Sequence, residues 1–430
     1  MHQLPPIESK SMVARTEFYR RYDASSGIQE LMVDLDLALS GPRKMLMLGG
    51  GNPGRLPEME EFFRGEMDHL MSDSDRFERA LGVYDHPGGN VPFRKAIARL
   101  LEQDCGWDVG PENIALTQGS QNAFFLLMNL LGGRREDGST ANIVFPMSPE
   151  YIGYEDVGIQ AGTLKSFLPR VTLLDDYSFR YEIDFQRLQI DETTGAVCIS
   201  RPCNPTGNNV SDQELEQLYS LCSQKDVPLI IDAAYGLPFP GIVFDNSTPF
   251  YRDGCIVILS LSKLGLPGLR TGIVVAPPDI VSRIEKLNSI FNLSCGGMGP
   301  ALVRRSIENG SLLNQCRKVL QPHYRRARDL AVEKLKAGLG RMGLRIHESG
   351  GAFFLWLWFD ADISTSILYQ KLKEAGVIVV PGKYYFPGLK DDFDHRDRCI
   401  RLSFSQDLDT IEQGIDKLIE VTGQLLEGSK

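Results

Sequence analysis

The chain reads as an α/β protein: a mostly parallel sheet flanked by helices, joined to a smaller α+β domain. Three observations carry this. First, Ile143–Phe145, Gly195–Ser200, Pro228–Asp232, Ile256–Ser260 and Gly272–Ala276 are short, continuous apolar runs rich in Val and Ile. Such runs suit central strands covered on both faces. Second, amphipathic helical periods lie between several of them, and strand–helix alternation favours a parallel sheet. Third, the last 120 or so residues change character, with a long helical stretch first and strands after it.

In chain order, residues 1–40 form an arm with a short helix around Ile28–Leu39. Met45–Leu48 leads into a glycine loop, Gly49-Gly50-Gly51-Asn52-Pro53-Gly54, and a helix is expected to start with Pro57 at its first position. The clearest helix signal is Ser211-Asp-Gln-Glu214, a capping box followed by Leu215, Leu218 and Leu221 on one face. The C-terminal part reads as a helix over Leu312–Leu339, strands at Ala352–Phe359 and Val377–Val380, and a closing helix near Leu408–Leu426. Gly296-Gly-Met-Gly-Pro300 is a plausible hinge. The expected division is residues 1–55 as arm and part of the small domain, 56–300 as the large α/β domain, and 301–430 as the small α+β domain.

Composition narrows the class. The 430 residues suggest two to three domains, and 42% hydrophobic content is ordinary for a protein with a large core. A net charge of −10 argues against a nucleic-acid binder. The eight cysteines include no CxxC pair and read as reduced thiols. The N-terminus lacks the pattern of a secretory signal, and no apolar run approaches the roughly 20 residues of a membrane span. A cytoplasmic protein is expected. The six histidines are scattered, with no metal-ligand spacing.

The glycine loop matches G-x-G-x-x-G literally. A dinucleotide fingerprint needs backbone N–H groups facing a pyrophosphate and a helix beginning inside the motif. Pro53 removes one such N–H, and the helix starts later. A loop lining a pocket is the better reading.

Four segments follow buried-strand runs and place polar residues where open α/β sheets bind ligands. Asn204-Pro-Thr-Gly207 follows Gly195–Ser200 and alone reads equally well as a turn. Asp232 ends Leu229-Ile-Ile; a desolvated acid there needs a partner, such as a pyridinium nitrogen, though it also reads as a helix cap. Lys263 follows Leu259-Ser260-Leu-Ser262, and Arg270 lies seven positions on. A buried lysine is costly, and burial that lowers its pKa makes the amine a nucleophile for a Schiff base. The serines and the arginine beside it suit a phosphate dianion. Gly119-Ser120-Gln121 opens a helix, either an anion site or a plain cap.

The ordered set from glycine loop through Tyr84, Gly119-Ser120, Pro149-Glu-Tyr151, Asn204-Pro-Thr-Gly, Asp232-x-x-Tyr235, Ser-x-Ser-Lys263, Arg270 and Arg401 resembles the fold type I aminotransferases that use pyridoxal 5′-phosphate (PLP). The resemblance spans nearly the whole chain. It implies a seven-stranded type of sheet in the large domain. It implies that Lys263 holds the cofactor and moves the substrate proton, that Asp232 pairs with the ring nitrogen, and that Asn204 and Tyr235 bond the phenolic oxygen. Tyr151 is expected to stack on the ring. Gly119, Ser120, Gln121, Ser260, Ser262 and Arg270 are expected at the phosphate, with Tyr84 reaching it from the neighbouring subunit of a homodimer. Arg401 is expected to fork onto the substrate carboxylate, with Asn204 and the Gly51 amide beside it. The Lys263–Arg270 spacing is one residue shorter than is commonest in the family, which leaves the loop path open.

Dicarboxylate-specific relatives bring a second arginine to the substrate. The corresponding stretch, Asn292–Gly299, has no basic residue. That disfavours aspartate or glutamate as donor, and the small glycines and apolar neighbours favour an aliphatic side chain. With the resemblance this implies transfer of an amino group between valine, or a similar aliphatic amino acid, and pyruvate, giving 2-oxoisovalerate and alanine. Small-molecule amino and 2-oxo acids are the expected partners, without nucleic acid or membrane. The alternatives are a β-lyase, a decarboxylase or an aminotransferase of other substrates on the same fold. A ligand-sensing regulator is more remote, since only about 40 residues, with no basic helix pair, precede the glycine loop.

Overall fold

The computed structural model describes residues 15–22, 29, 32–34, 36, 45–360 and 363–428. Most of the helix expected at Ile28–Leu39 lies outside the described residues; those within it, 29, 32–34 and 36, are helical. The large sheet has eight strands: β1 (Ile114–Gln118), β2 (Gly133–Arg134), β3 (Thr140–Phe145), β4 (Leu164–Ser166), β5 (Thr194–Ser200), β6 (Leu229–Asp232), β7 (Cys255–Ser260) and β8 (Thr271–Val275). Their order is β1-β8-β7-β6-β5-β3-β2, with β4 also on β3. Strands β7, β6, β5, β3 and β4 run parallel.

The continuous apolar runs have the expected cause. Ile230, Ile256, Ile258 and Val274 pack on one face with Ala123, Phe124 and Leu127 of helix Ser120–Leu131. Ile231, Val257 and Leu259 pack on the other with Leu215 and Leu218 of helix Asp212–Gln224. Successive strand residues thus enter opposite layers, and both layers exclude water. The Ser211 capping box is formed: Ser211 Oγ accepts from Glu214 N–H, and Glu214 Oε2 accepts from Ser211 N–H at 3.1 Å.

Strand β8 departs from the parallel pattern. It runs antiparallel to both β7 and β1. Only residues 261–270 join β7 to β8, and they hold two short 3₁₀ turns but no α-helix. A parallel return needs a crossover of about a dozen residues or more, so the chain turns back on itself. This short connection carries Lys263 and Arg270.

The second sheet runs Val380–Pro381, Cys399–Ser403, Phe354–Phe359, Leu344–His347, Ser178–Glu182, Arg170–Leu173. Its last two strands come from inside the 56–300 stretch, which the sequence had placed wholly in the large domain. Ser178 and Phe179 pair with Ile346 and His347. That parallel pairing spans almost 170 residues and leaves no local trace. Leu46–Met47 pairs with Val377–Ile378, which ties the start of the glycine loop to the C-terminal part. Within the Gly296–Pro300 segment a helix starts at Met298 and runs to Glu308. The long C-terminal helix contains a π-helical turn at Cys316–Leu320, directly before Gln321-Pro322. Pro322 has no N–H and its ring crowds the preceding turn, so the wider turn fits there.

Candidate active site

A cavity of about 480 Å³ opens at the carboxyl ends of β5, β6 and β7. This is where open α/β sheets bind ligands. Its walls include Gly51, Ser120, Gln121, Tyr151, Asn204, Asp232, Tyr235, Ser262, Lys263, Arg270 and Arg401, drawn from segments far apart in sequence.

Lys263 lies in the 3₁₀ turn Ser262–Leu264 that follows β7. Its Nζ donates to the Gly51 carbonyl at 2.8 Å and sits 5.1 Å from the centre of the Tyr235 ring. Burial lowers its ammonium to about 8; the charge of Arg401 pushes the same way and Asp232 opposes. A substantial neutral fraction at working pH is what a nucleophilic amine needs.

Asp232 closes β6. Its Oδ2 accepts from Tyr154 Oη at 2.7 Å and its Oδ1 from the Ala234 N–H at 2.9 Å. Burial raises its carboxyl, against those hydrogen bonds and the nearby Lys263 charge. Both of these donors are neutral, so a cationic N–H in the cavity would stabilise the ionised acid.

The opposite end suits an anion. Helix Ser120–Leu131 points its N-terminus at the cavity, with Ser120 in its first turn and Ser262 and Arg270 alongside. Gly119 has φ +82°, and a Cβ there would overlap Arg270 Nη2, so the guanidinium lies directly over the glycine. Arg270 itself has φ +46°, a strained conformation for a non-glycine residue at the end of the tight connection.

Arg401 projects from Cys399–Ser403 and is 3% exposed. Nη1 donates to Asn204 Oδ1 at 2.7 Å and Nη2 to the Gly49 carbonyl at 2.6 Å. The guanidinium carbon lies 4.4 Å from the centre of the Phe354 ring. Its buried Nε has no hydrogen-bond partner among the described residues. An arginine fixed this way, with donor capacity to spare, suits a carboxylate.

Of the residues singled out from sequence, eleven line the cavity and three do not. Ser260 is fully buried beneath it, where its Oγ accepts from the Ser262 N–H at 3.1 Å and shapes the turn. Gly119 lies under Arg270. Tyr84 is 77% exposed and outside the cavity of its own chain. Sequence reasoning missed Ser200, which lines the cavity, and Tyr154 and Glu150, which lie behind Asp232. The second aromatic of Pro-Glu-Tyr151-Ile-Gly-Tyr154 was the one available signal.

The residues present fit PLP. An amine with a lowered pKa, an acid with no ion-pair partner among the described residues, and a helix N-terminus with serines and an arginine match its aldehyde, ring nitrogen and phosphate. Among the described residues no group of three or more His, Cys, Asp or Glu could hold a metal ion.

Comparison with known proteins agrees. The family model for aminotransferase class I and II matches residues 75–418. The chain is similar to the valine–pyruvate aminotransferase of Escherichia coli, 42% identical over 94% of this chain and 96% of that protein. Two solved structures resemble it over nearly their whole length. A putative amino-acid aminotransferase from Psychrobacter arcticum has a TM-score of 0.93 at 37% identity, covering 96% of this chain and 99% of that one. The valine–pyruvate aminotransferase of Salmonella typhimurium has a TM-score of 0.85 at 42% identity, covering 93% and 100%. The chain therefore belongs to the class I and II aminotransferases, PLP-dependent enzymes of fold type I.

Proposed function

We propose that this enzyme moves the amino group of L-valine to pyruvate, producing 2-oxoisovalerate and L-alanine. The observation that carries the reading is the match of cations to anions in the cavity. Among the described lining residues the cations are Lys263, Arg270 and Arg401. Lys263 serves the cofactor aldehyde, Arg270 the phosphate and Arg401 the α-carboxylate, so none is left for a second substrate carboxylate. The relatives at 42% identity support the same choice.

PLP, when bound, supplies an aldehyde that condenses with amines and a ring that accepts the electron pair of a Cα–H bond. The chain's residues do the rest. Asp232 holds a proton on the ring nitrogen. Asn204 and Tyr235 bond the phenolic oxygen, and Tyr151 covers the ring face. Ser120, Gln121, Ser262 and Arg270 anchor the phosphate, with Gly119 and Ser260 shaping the loops beneath. Arg401, with Asn204 and Gly51, orients the α-carboxylate so that the Cα proton faces Lys263. The Lys263 Nζ removes that proton and returns it on the other side of the transfer.

We further infer a homodimer in which Tyr84 serves the neighbouring subunit. Its exposure beside Leu81 and Val83, also exposed, supports this. A cytoplasmic setting fits eight free cysteines, and no helix among the described residues is long and apolar enough to cross a membrane. The deciding assay uses pyruvate as acceptor with a panel of donors. Valine and similar aliphatic donors are expected to lead, and a clear preference for aspartate refutes the proposal.

A further inference from the structure

The chemistry above leaves a buried carboxyl group behind Asp232 without a role. Glu150 is 1% exposed. Its Oε1 accepts from the Ser200 N–H at 2.9 Å, and its Oε2 lies 2.6 Å from Ser200 Oγ and 3.2 Å from the Tyr151 nitrogen. Ser200 Oγ lies 3.1 Å from Tyr154 Oη, which lies 2.7 Å from Asp232 Oδ2. The side chains of Glu150, Ser200, Tyr154 and Asp232 thus form a row of oxygens joined by consecutive short contacts.

Counting hydrogens decides the state of this row. There are three contacts: Glu150–Ser200, Ser200–Tyr154 and Tyr154–Asp232. Each hydroxyl carries one hydrogen, and an ionised carboxylate carries none. With both acids ionised, two hydrogens must serve three contacts, and one pair of oxygens meets lone pair to lone pair away from water. Such an unmade bond in a buried site is costly. One further proton completes the row. On Asp232 it would remove the charge that faces the cavity and Lys263. On Glu150, sealed from the cavity, it points every bond the same way: Glu150 to Ser200, Ser200 to Tyr154, Tyr154 to Asp232.

We propose that Glu150 is a carboxylic acid in the working enzyme, the donor end of a hydrogen-bonded row that keeps Asp232 ionised toward the cofactor nitrogen. It is a positioning residue, and the proposal rests on the reading of Asp232 given above. The surroundings favour the neutral acid. Burial pushes Glu150 up to about 7, against the hydrogen bonds from Ser200, and the Asp232 charge adds to the rise. The other titratable groups facing it, Tyr154, Cys198 and Cys203, are themselves pushed up by burial and stay neutral. Cys203 Sγ lies 3.8 Å from Glu150 Oε2, and the Glu150 N–H donates to the Tyr385 carbonyl.

Infrared difference spectroscopy at neutral pH tests this, on the cofactor-free protein and the holoenzyme. The wild type is expected to show the carbonyl stretch of a protonated carboxylic acid, absent from Glu150→Gln. Ser200→Ala removes the acceptor of that acid and is expected to shift the band to higher frequency, so the test stands even if Glu150→Gln does not fold. The holoenzyme's visible band supplies the second readout. Its pH midpoint is expected to stay within roughly twofold in proton concentration in Glu150→Gln, a neutral donor of similar shape, and to move roughly tenfold in Ser200→Ala. The proposal is overturned if the wild type lacks the acid band, if the band survives in Glu150→Gln, or if Ser200→Ala leaves it unmoved. An acid band in the cofactor-free protein, combined with visible spectra that no variant changes, overturns the link through Asp232 to the cofactor and isolates the fault there.

Discussion

The guanidinium of Arg401 donates to Asn204 Oδ1 at 2.7 Å, joining a strand of the C-terminal sheet to the loop that follows β5. The residues are 197 positions apart, and both are buried. The contact fixes the fork, and in the proposed reaction its remaining donor capacity would meet the substrate carboxylate. Arg401→Ala is expected to cost about 2–5 kcal/mol of transition-state binding, roughly 30-fold to several-thousand-fold in kcat/KM for valine. Arg401→Lys keeps the charge but loses the fork, and should recover only part of it. Steady-state kinetics on both variants, with melting curves to confirm the fold, check this.

Gly119→Ala should weaken cofactor binding rather than the fold. The residue has φ +82°, and its new Cβ would overlap Arg270 Nη2. A strained alanine together with a displaced phosphate ligand amounts to about 1–3 kcal/mol. The PLP dissociation constant, measured by fluorescence titration of the cofactor-free protein, is expected to rise roughly 5- to 150-fold. An unchanged constant would mean that Arg270 does not hold the phosphate.

These two sites differ in how far the sequence revealed them. Lys263, Asp232 and Asn204 were legible because each closes or follows an apolar strand, and a polar residue there is locally conspicuous. Arg401 was legible only through the family resemblance, since it lies inside a strand rather than at its end, and its bond to Asn204 was not, because nothing local encodes a contact across 197 residues. The Glu150–Ser200–Tyr154 row was hidden likewise, with partners 50 and 46 positions apart. The antiparallel β8 was within reach, since the ten-residue connection before it is too short for a crossover helix. Ser260 looked like a phosphate ligand because it shares a motif with Ser262. The strand ends between them, and the 3₁₀ turn at Ser262–Leu264 breaks the alternation that would have kept both serines on one face.

The buried histidines set an acid limit on stability. His347 Nε2 accepts from the Tyr181 N–H at 2.9 Å, and His395 Nδ1 lies 2.6 Å from Tyr181 Oη. Burial lowers His347 to about 3 and His395 to about 4. An unfolded histidine takes up a proton near pH 6.5, so below that the unfolded state binds more protons than the folded one. Stability is therefore expected to fall as pH drops from about 6.5 toward 4, by about 1 kcal/mol per histidine per pH unit. Urea unfolding across this range should show the slope, and His347→Gln should flatten it. A slope unchanged by the substitution would place the acid sensitivity elsewhere.

Lys263 predicts a pH dependence of the same sign in the alkaline range. In the folded, cofactor-free protein burial lowers its ammonium to about 8, whereas the unfolded chain holds its proton to about 10.4. Between those values the unfolded state binds more protons, so stability rises with pH; below about 8 the penalty of the buried charge is present in full. Lys263→Met should accordingly stabilise the cofactor-free protein at pH 7 by on the order of 1–3 kcal/mol, a gain that shrinks as pH climbs through the window. The same variant should take up no PLP as a visible chromophore and lose transamination. Denaturant melts of both proteins at pH 7 and pH 10, with absorption spectra after adding PLP, test the two claims together. Equal stability of the two proteins across that range would show that the amine is not held in the low-dielectric setting its chemistry requires, because an amine still solvated like a surface lysine would have no linkage to lose.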